Sequence, residues 1–224
     1  MRAMILAAGL GTRLRPLTEH TPKPMLEVAH RPLVGHQLAS LATAGVSEVM
    51  INLHHLAEQI QAYVGDGSQF GVSVHYSYEP RLLETGGAIR SVLEFFEDQP
   101  FWLINGDIYS DFDFANLPKR LAAHTAQLVL TPTPTYREHG DFECSQGQIT
   151  ARGNSFVYCG ISALHPSIVA DSPQGEAFSL RDSFFRMIEE RALYGQIHHG
   201  DWHDIGTLAQ YRELANKFEG TRPN

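Results

Sequence analysis

Two glycines, an arginine and a lysine lie close together near the start of the chain. Gly9 and Gly11 belong to the stretch AAGLGTRLRP. Arg13 comes directly behind them, and Lys23 stands between two prolines. Glycine lets the backbone approach a ligand, so that N–H groups can surround a phosphate. Arginine matches phosphate oxygens with paired hydrogen bonds, and prolines stiffen the segment around Lys23. The spacing predicts a phosphate-binding loop; an ordinary turn with solvated cations is the alternative.

Two better-known nucleotide motifs do not match this loop. A dinucleotide-binding fingerprint needs a third glycine where the chain has Leu14, and an acidic residue after the second strand. A P-loop needs Gly-Lys-Ser or Gly-Lys-Thr, which is absent here. The sequence therefore disfavours an NAD-dependent oxidoreductase, which is kept as the alternative from another class.

Two aspartates have the character of metal ligands. Asp107 follows the most apolar run of the chain, residues 101–104, and Asp204 lies in the stretch Trp-His-Asp-Ile-Gly-Thr. Mg²⁺ usually binds one or two protein carboxylates together with substrate phosphates. We expect Asp107 and Asp204 to hold Mg²⁺ if the fold brings them close, whereas each one alone would be an ordinary cap or turn residue.

A second glycine pair opens a predicted helix. Glu84 and Thr85 precede Gly86 and Gly87. Thr85 can cap the helix, and the glycines would leave the first N–H groups open to a ligand. This pattern predicts a backbone-lined slot for a base or ribose, with a plain helix start as the alternative.

Histidines near the end of the chain offer a different metal hypothesis. His198, His199 and His203 lie close in sequence to Asp201 and Asp204. Histidine clusters bind Zn²⁺ and other transition metals, but this spacing matches no zinc motif. We therefore favour a strand and loop here over a transition-metal site.

Strands and helices must position these residues, and they alternate over the first half of the chain. Apolar runs predict strands at residues 3–7, 49–53, 72–76 and 101–104. Helical spacing of apolar residues predicts helices over 32–44, 56–64 and 88–96. Such alternation indicates a mostly parallel sheet covered on both faces, with ligands bound at the carboxyl ends of its strands.

The alternation fades after about residue 130. Further strands are predicted at 128–130 and 156–161, a break at 131–134 and a hairpin turn at 146–148. Helical patterns return at 180–191 and 208–218, and residues 220–224 are predicted to be a frayed end.

The chain has 224 residues and a formal net charge of −8, from 17 Lys and Arg against 25 Asp and Glu. This balance argues against a nucleic-acid partner, which would require a basic face. No apolar stretch reaches the roughly 18 residues of a membrane span, and no secretory leader is recognisable. We expect a cytoplasmic protein with small-molecule partners, and Cys144 and Cys159 as free thiols.

Taken in order, the motifs resemble those of the sugar-1-phosphate nucleotidyltransferases, over about residues 2–218. The resemblance rests on Gly9-x-Gly11-Thr12-Arg13-Leu14, Pro22-Lys23-Pro24-Met25, Glu84-Thr85-Gly86-Gly87-Ala88, Gly106-Asp107 and Trp202-x-Asp204-x-Gly206-Thr207. It implies a Rossmann-like three-layer α/β/α fold with a mixed, mostly parallel sheet and no C-terminal β-helix. It also implies one domain, 1–224, with a nucleotide-binding half over about 1–112 and a sugar-phosphate-binding half over about 113–220.

The resemblance implies a reaction between a nucleoside triphosphate and a sugar 1-phosphate that releases pyrophosphate. The nucleotide-binding residues would be Ala8, Gly9, Gly11, Thr12, Arg13, Lys23, Glu84, Thr85, Gly86, Gly87 and Asn105. Arg13 would hold the leaving pyrophosphate, Lys23 the α-phosphate, and Asp107 would join them as a catalytic residue. Asp107 and Asp204 would bind Mg²⁺. The attacking phosphate oxygen is already ionised, so no general base is needed.

The sugar side departs from the family pattern. Its implied residues are Gly140, Asp141, Arg152, Asn154, Gly160 and Asp182. Many members carry Tyr-Gly and then Glu-Lys-Pro here, whereas this chain has His-Gly-Asp and then Ala-Arg-Gly-Asn. Either Arg152 or Asn154 would contact the sugar phosphate.

The compact length and the Glu-Thr-Gly-Gly-Ala motif most resemble the N-acetylmuramate-1-phosphate uridylyltransferases of peptidoglycan recycling. That resemblance implies transfer of UMP from UTP to N-acetylmuramic acid 1-phosphate. A guanylyltransferase for mannose or heptose 1-phosphate is the runner-up, because it shares Thr-Gly-Gly. A catalytically inactive sensor is disfavoured, since the candidate catalytic residues are present.

Overall fold

A computed structural model describes residues 1–218. The predicted frayed end, 220–224, and the last two residues of the predicted sugar-phosphate half, 219–220, lie outside them. The strands are β1 (Arg2–Leu6), β2 (Glu27–Val28), β3 (Arg31–Pro32), β4 (Glu48–Leu53), β5 (Ser73–Tyr78), β6 (Phe101–Asn105), β7 (Ile108–Ser110), β8 (Ala126–Pro132), β9 (Phe142–Ser145), β10 (Gln148–Arg152), β11 (Phe156–Leu164), β12 (Leu193–Ile197) and β13 (Trp202–Asp204). The helices are α1 (Leu33–Thr43), α2 (Ala57–Val64), α3 (Glu84–Ser91), α4 (Leu180–Glu189) and α5 (Leu208–Phe218).

The central sheet contains nine strands in the order β5-β4-β1-β6-β11-β8-β12-β10-β9. Neighbouring strands from β5 to β6 pair in parallel, and so do β8 and β12. Strand β11 pairs antiparallel with β6 and β8, and β10 pairs antiparallel with β12 and β9. These pairings make seven of the nine strands run in the same direction, opposite to β10 and β11, so the sheet is mixed and mostly parallel, as the sequence predicted.

Helices cover both faces of this sheet. Side chains alternate along a strand, so Ala3 and Ile5 face one side while Met4 faces the other. Ala3 and Ile5 pack in a buried cluster with apolar residues of α1 and α2. Met4 packs in a second cluster with apolar residues of α3 and α4. The predicted three-layer α/β/α architecture is confirmed.

A small two-stranded ribbon of β7 and β13 stands beside the central sheet. Ile108 is the register partner of Asp204, and Tyr109 is the partner of His203. A third apolar cluster packs at this end of the molecule, and it includes Ile205, which follows β13, and Leu214 of α5. This pairing joins the two halves of the chain, and it starts at Ile108, the residue directly after Asp107.

The predicted elements of the first half agree closely with the structure, with one difference. The helix predicted over 88–96 begins at Glu84 and ends at Ser91, and a separate 3-10 turn, Leu93–Phe96, follows. Val92 between them has φ −117°, which is not helical. Among residues 1–218, no helix is long and apolar enough to cross a membrane.

The structure adds short strands that apolar runs did not predict: β2, β3 and β7 in the first half, and β9, β10, β12 and β13 in the second. The predicted hairpin turn joins β9 and β10, with positive φ at Gln146 and Gly147. The predicted break at 131–134 begins after Pro132, where β8 ends. Cys144 and Cys159 are free thiols, as expected.

Candidate active site

The carboxyl ends of β1, β4, β5 and β6 surround a cavity of about 290 Å³. Ligands of open α/β sheets bind at this edge. The wall contains six of the eleven predicted nucleotide-binding residues together with the predicted catalytic residue Asp107: Ala8, Gly9, Lys23, Glu84, Thr85 and Asn105. The wall also contains Leu6, Ala7, Pro24, Asn52, Glu79, Leu82 and Gly106.

Gly11, Thr12 and Arg13 lie next to this cavity and are not part of its wall. Gly11 has φ +62°, and a Cβ atom there would approach the Thr18 methyl carbon to 2.9 Å. A 3-10 turn, Thr12–Leu14, starts directly after it. Only glycine adopts this backbone without strain, so the turn depends on Gly11.

The buried side chain of Leu14 explains why a third glycine is absent from the loop. Leu14 is 1% exposed and packs in the cluster that contains Ile205. The Arg13 side chain is exposed and lies beside Gly206. Position 14 therefore anchors the loop against the segment after β13, and Arg13 projects toward that segment.

Lys23 forms an ion pair with Asp107, and the distance between Nζ and Oδ2 is 2.5 Å. Pro22 is extended, and a 3-10 turn, Lys23–Met25, contains Pro24. Gly106 donates its N–H to the Leu6 carbonyl at 2.8 Å, and a Cβ there would meet Leu6 and Pro24. The proline segment and the turn after β6 are thus packed together.

Asp107 and Asp204 lie close together at the end of the β7–β13 ribbon. The N–H of Ile205 donates to the Asp107 carbonyl at 3.1 Å, and the Asp204 carboxylate forms an ion pair with Arg137 at 2.8 Å. Burial and, next, the nearby Asp107 charge raise the pKa of Asp204. The fold thus brings Asp107 and Asp204 near each other, which the sequence analysis required for a shared metal site.

Two adjacent carboxylates fit Mg²⁺, which takes its other ligands from phosphates and water. A partly buried pair of like charges is also stabilised by a cation. Within residues 1–218, no group of three or more His, Cys, Asp or Glu side chains is arranged to hold a metal ion. Asp107 and Asp204 would therefore hold the ion together with bound phosphates.

Gln37 supports the turn that carries Asp107, and the sequence did not single it out. It is 3% exposed, and its Nε2 donates to the carbonyls of Asn105 at 3.0 Å and Ile108 at 2.9 Å. These carbonyls flank Gly106 and Asp107. The available signal was a glutamine on the otherwise apolar buried face of α1.

Asn52 and Glu79 form a buried network that sequence reasoning also missed. Each is 4% exposed. Asn52 accepts from the N–H of Ala7 at 2.8 Å and donates to Glu79 at 2.7 Å, and Glu79 accepts from the N–H of Leu83 at 2.9 Å. The network ties β1, β4 and β5 to the start of α3. In the sequence, this network is marked only by a polar residue at the end of β4 and another directly after β5.

The start of α3 differs from its prediction. Thr85 does not cap the helix, because its Oγ1 accepts from the N–H of Leu180 at 2.8 Å. The N–H groups of Gly86 and Gly87 are not open, since both donate to the Phe178 carbonyl at 2.9 and 3.3 Å. A Cβ at Gly86 would collide with the Phe178 ring. The glycines therefore permit close packing of the segment before α4.

On the sugar side, Gly140 and Asn154 bind each other. The N–H of Gly140 donates to the Asn154 side chain at 3.2 Å, and Thr133 donates to the Asn154 carbonyl at 2.7 Å. Asp141 accepts from the N–H of Tyr158 at 3.0 Å. These contacts fold the segment 133–141 onto the turn before β11.

The other three sugar-side residues are spread over the surface and the sheet. Arg152 is exposed and stacks on the Phe185 ring at 4.4 Å, and Asp182 is exposed in the first turn of α4. Gly160 is buried with φ +72°, and a Cβ there would approach the Asn105 amide to 2.9 Å. Gly160 thus abuts the cavity at the carboxyl ends of the strands, whereas Arg152 and Asp182 do not line it.

Of the histidines near the end of the chain, His198 has a carboxylate partner. His198 lies 3.0 Å from Asp111, and burial lowers the pKa of His203. The Nε2 of His203 is buried without a hydrogen-bond partner among the described residues. The transition-metal hypothesis therefore has no ligand set within residues 1–218.

Comparison with known proteins agrees with this geometry. A model of the nucleotidyl transferase family matches residues 2–143. The chain belongs to that family. One relative, the N-acetylmuramate alpha-1-phosphate uridylyltransferase of Neisseria meningitidis serogroup B, is 38% identical over 225 residues, 95% of this chain and 96% of its own length. The predicted membership of the sugar-1-phosphate nucleotidyltransferases is confirmed.

A further relative and two solved structures are also similar to this chain. The mannose-1-phosphate guanyltransferase of Yarrowia lipolytica is 30% identical over 92% of this chain, which spans 61% of that protein. The crystal structure of HddC from Yersinia pseudotuberculosis has a TM-score of 0.79 at 23% identity, over 97% of this chain and 99% of its own. A Bacillus anthracis structure, assigned as a glucose-1-phosphate thymidylyltransferase, has a TM-score of 0.85 at 19% identity, over 100% and 98%.

Proposed function

We propose that this nucleotidyltransferase transfers UMP from UTP to N-acetylmuramic acid 1-phosphate, giving UDP-N-acetylmuramic acid and pyrophosphate. The observation that carries the proposal is the 38% identity to the meningococcal uridylyltransferase, which spans 95% of this chain and 96% of that protein. The guanyltransferase relative matches at 30% and extends well beyond this chain. A cytoplasmic location and a place in peptidoglycan recycling belong to the same proposal.

We assign nucleotide binding to residues 1–112 and sugar-phosphate binding to residues 113–220. Gly9 and the neighbouring Ala8 and Gly11 hold the triphosphate against the end of β1. Lys23, which already pairs with a carboxylate, brings its charge to the α-phosphate. Arg13 is exposed beside this loop and neutralises the departing pyrophosphate. These positions favour charge stabilisation as the main source of rate enhancement.

Mg²⁺ is the cofactor of this proposal, and Asp107 and Asp204 would hold it. When bound, the ion would neutralise phosphate charge from both substrates. The two carboxylates lie at the junction of the halves, because β7 comes from one and β13 from the other. Their position supports a role between nucleotide and acceptor.

The reaction joins an oxygen of the sugar phosphate to the α-phosphorus of UTP. The bond from the α-phosphorus to the bridging oxygen breaks, and pyrophosphate leaves with the electron pair. The attacking oxygen is ionised at neutral pH, so the protein has to align it and supplies no base.

Guanylyl transfer to mannose or heptose 1-phosphate is the second candidate. The relative from Yarrowia lipolytica, named a mannose-1-phosphate guanyltransferase, favours it. Glu79 could accept hydrogen bonds from either a uracil or a guanine edge, since both present N–H donors. An assay that compares UTP with GTP therefore identifies the preferred base.

The test is a matrix of four nucleoside triphosphates against a panel of sugar 1-phosphates, read by pyrophosphate release. We expect the highest kcat/KM for UTP with N-acetylmuramic acid 1-phosphate in the presence of Mg²⁺. A maximum for GTP with mannose or heptose 1-phosphate would favour the second candidate. Equal release when the sugar phosphate is omitted would rule out transfer.

A further inference from the structure

Arg137 reaches from the sugar-side loop to the candidate metal site. Its Nη2 lies 2.8 Å from Oδ2 of Asp204, and its guanidinium lies over the Trp202 ring at 5.7 Å. The side chains of Arg137 and Asp204 are 29% and 22% exposed, so this charge pair is largely shielded from solvent. Neither the motifs nor the cavity wall includes Arg137.

The loop that carries Arg137 is held by its ends. The N–H of Thr133 donates to the Ser155 carbonyl at 3.0 Å, and the N–H of Gly140 donates to the Asn154 side chain at 3.2 Å. The N–H of Arg137 closes a turn onto Pro134 at 2.9 Å. Because these bonds involve backbone groups of the loop, the Arg137 side chain can change partners while the loop keeps its fold.

The two candidate metal ligands each have a cationic partner. Lys23 pairs with Asp107 from the nucleotide half, and Arg137 pairs with Asp204 from the sugar half. A divalent cation on the two carboxylates would compete with both partners. The displaced lysine and guanidinium would then face incoming phosphates, one from each half.

We propose that Arg137 binds the phosphate of the sugar 1-phosphate, and that Asp204 holds its guanidinium in the substrate-free protein until a divalent cation takes that carboxylate. The inference rests on the proposed transfer reaction. Arg137 belongs to the same segment as Gly140 and Asp141, which the family resemblance assigns to the sugar phosphate. Its planar fork suits a phosphate dianion.

Steady-state kinetics test the binding role. In Arg137→Met we expect the KM for the sugar 1-phosphate to rise about 10- to 100-fold, the range for a lost charged hydrogen bond. The KM for the nucleotide should change less than about twofold. Arg137→Lys should lie between, because it keeps the charge without the fork. Arg120→Met, which removes an exposed arginine elsewhere, is the control. Equal changes in both KM values, or none, would overturn the inference.

Binding of Mn²⁺ to the substrate-free protein tests the competition without activity. Arg137→Met should bind Mn²⁺ about fivefold more tightly, since a competing cation is gone. In an Asp204→Asn background the same change should have no effect. A merely structural ion pair would lower the melting temperature without raising Mn²⁺ affinity. If no substrate pair reacts, the proposed function fails, and unchanged Mn²⁺ affinity in Arg137→Met would separately overturn this inference.

Discussion

The two halves of the site are built in different ways. On the nucleotide side, loops directly after β1 and β6 and the start of α3 converge on one cavity, and short motifs encode them. On the predicted sugar side, the residues named by family resemblance share no such cavity: Gly140 and Asn154 bind each other, whereas Arg152 and Asp182 are exposed elsewhere. The difference teaches that a contiguous motif specifies local backbone shape, whereas the proposed acceptor side is assembled by contacts between segments that are distant in sequence.

Removing Asp107 should have the largest effect on this comparison, because it lies where the halves meet. We expect Asp107→Asn to lower kcat/KM about 1,000-fold, since a metal ligand and the partner of Lys23 are lost together. Pyrophosphate release measures it, and thermal unfolding should show a folded protein. Asp171→Asn, at an exposed carboxylate, is the matched control. Near-normal turnover would remove Asp107 from the metal site.

Replacing Lys23 should have the next largest effect and should fall on the nucleotide side. We expect Lys23→Met to lower kcat about 100-fold, because a charge aimed at the reacting phosphate is lost. The KM for the sugar 1-phosphate should stay nearly constant. Lys119→Met, at an exposed lysine, serves as the control. If only the KM for the sugar 1-phosphate rises, Lys23 acts on the acceptor and not on the nucleotide, which would contradict this prediction.

Two glycines of the nucleotide side separate packing from ligand binding. A Cβ at Gly86 would collide with Phe178, so Gly86→Ala should cost about 1–3 kcal/mol of unfolding free energy. A Cβ at Gly9 would meet nothing within 4 Å. Gly9→Ala should therefore change stability by less than about 0.5 kcal/mol while raising the KM for the nucleotide. Denaturant unfolding and kinetics measure both, and equal stability losses would contradict the distinction.

The smallest expected effects distinguish Arg152 from Asn154 on the sugar side. Asn154→Ala should raise the KM for the sugar 1-phosphate about 3- to 10-fold, because Gly140 loses its hydrogen-bond acceptor. Arg152→Ala should change that KM by less than about threefold, since its guanidinium is exposed and stacks on Phe185. The reverse order would assign the sugar-phosphate contact to Arg152.

Three strands of the first half were predictable because they are buried on both faces. Buried parallel strands read as continuous apolar runs, and β1, β4 and β6 have that character. Strands β9, β10 and β12 contain exposed and polar positions, so no apolar run marks them. The hairpin between β9 and β10 was predictable from its turn residues alone.

The nearness of Asp107 and Asp204 could be expected only from resemblance. It depends on the pairing of two three-residue strands, β7 and β13, from opposite halves of the chain. Gln37, Asn52 and Glu79 escaped prediction because their roles arise from partners far away in sequence. Thr85 was assigned a cap because a local pattern cannot reveal that Leu180 would use its hydroxyl.

Direct attack by the sugar phosphate on UTP is the central claim, and isotopically labelled phosphate oxygens test it. Labelled N-acetylmuramic acid 1-phosphate would be reacted with unlabelled UTP and Mg²⁺, and the masses of the products would be measured by mass spectrometry. We predict that all of the label enters the UDP-sugar and that the pyrophosphate is unlabelled. We also predict that no pyrophosphate forms when the acceptor is omitted. A UDP-sugar that lacks the label, or pyrophosphate released without the acceptor, would contradict the account.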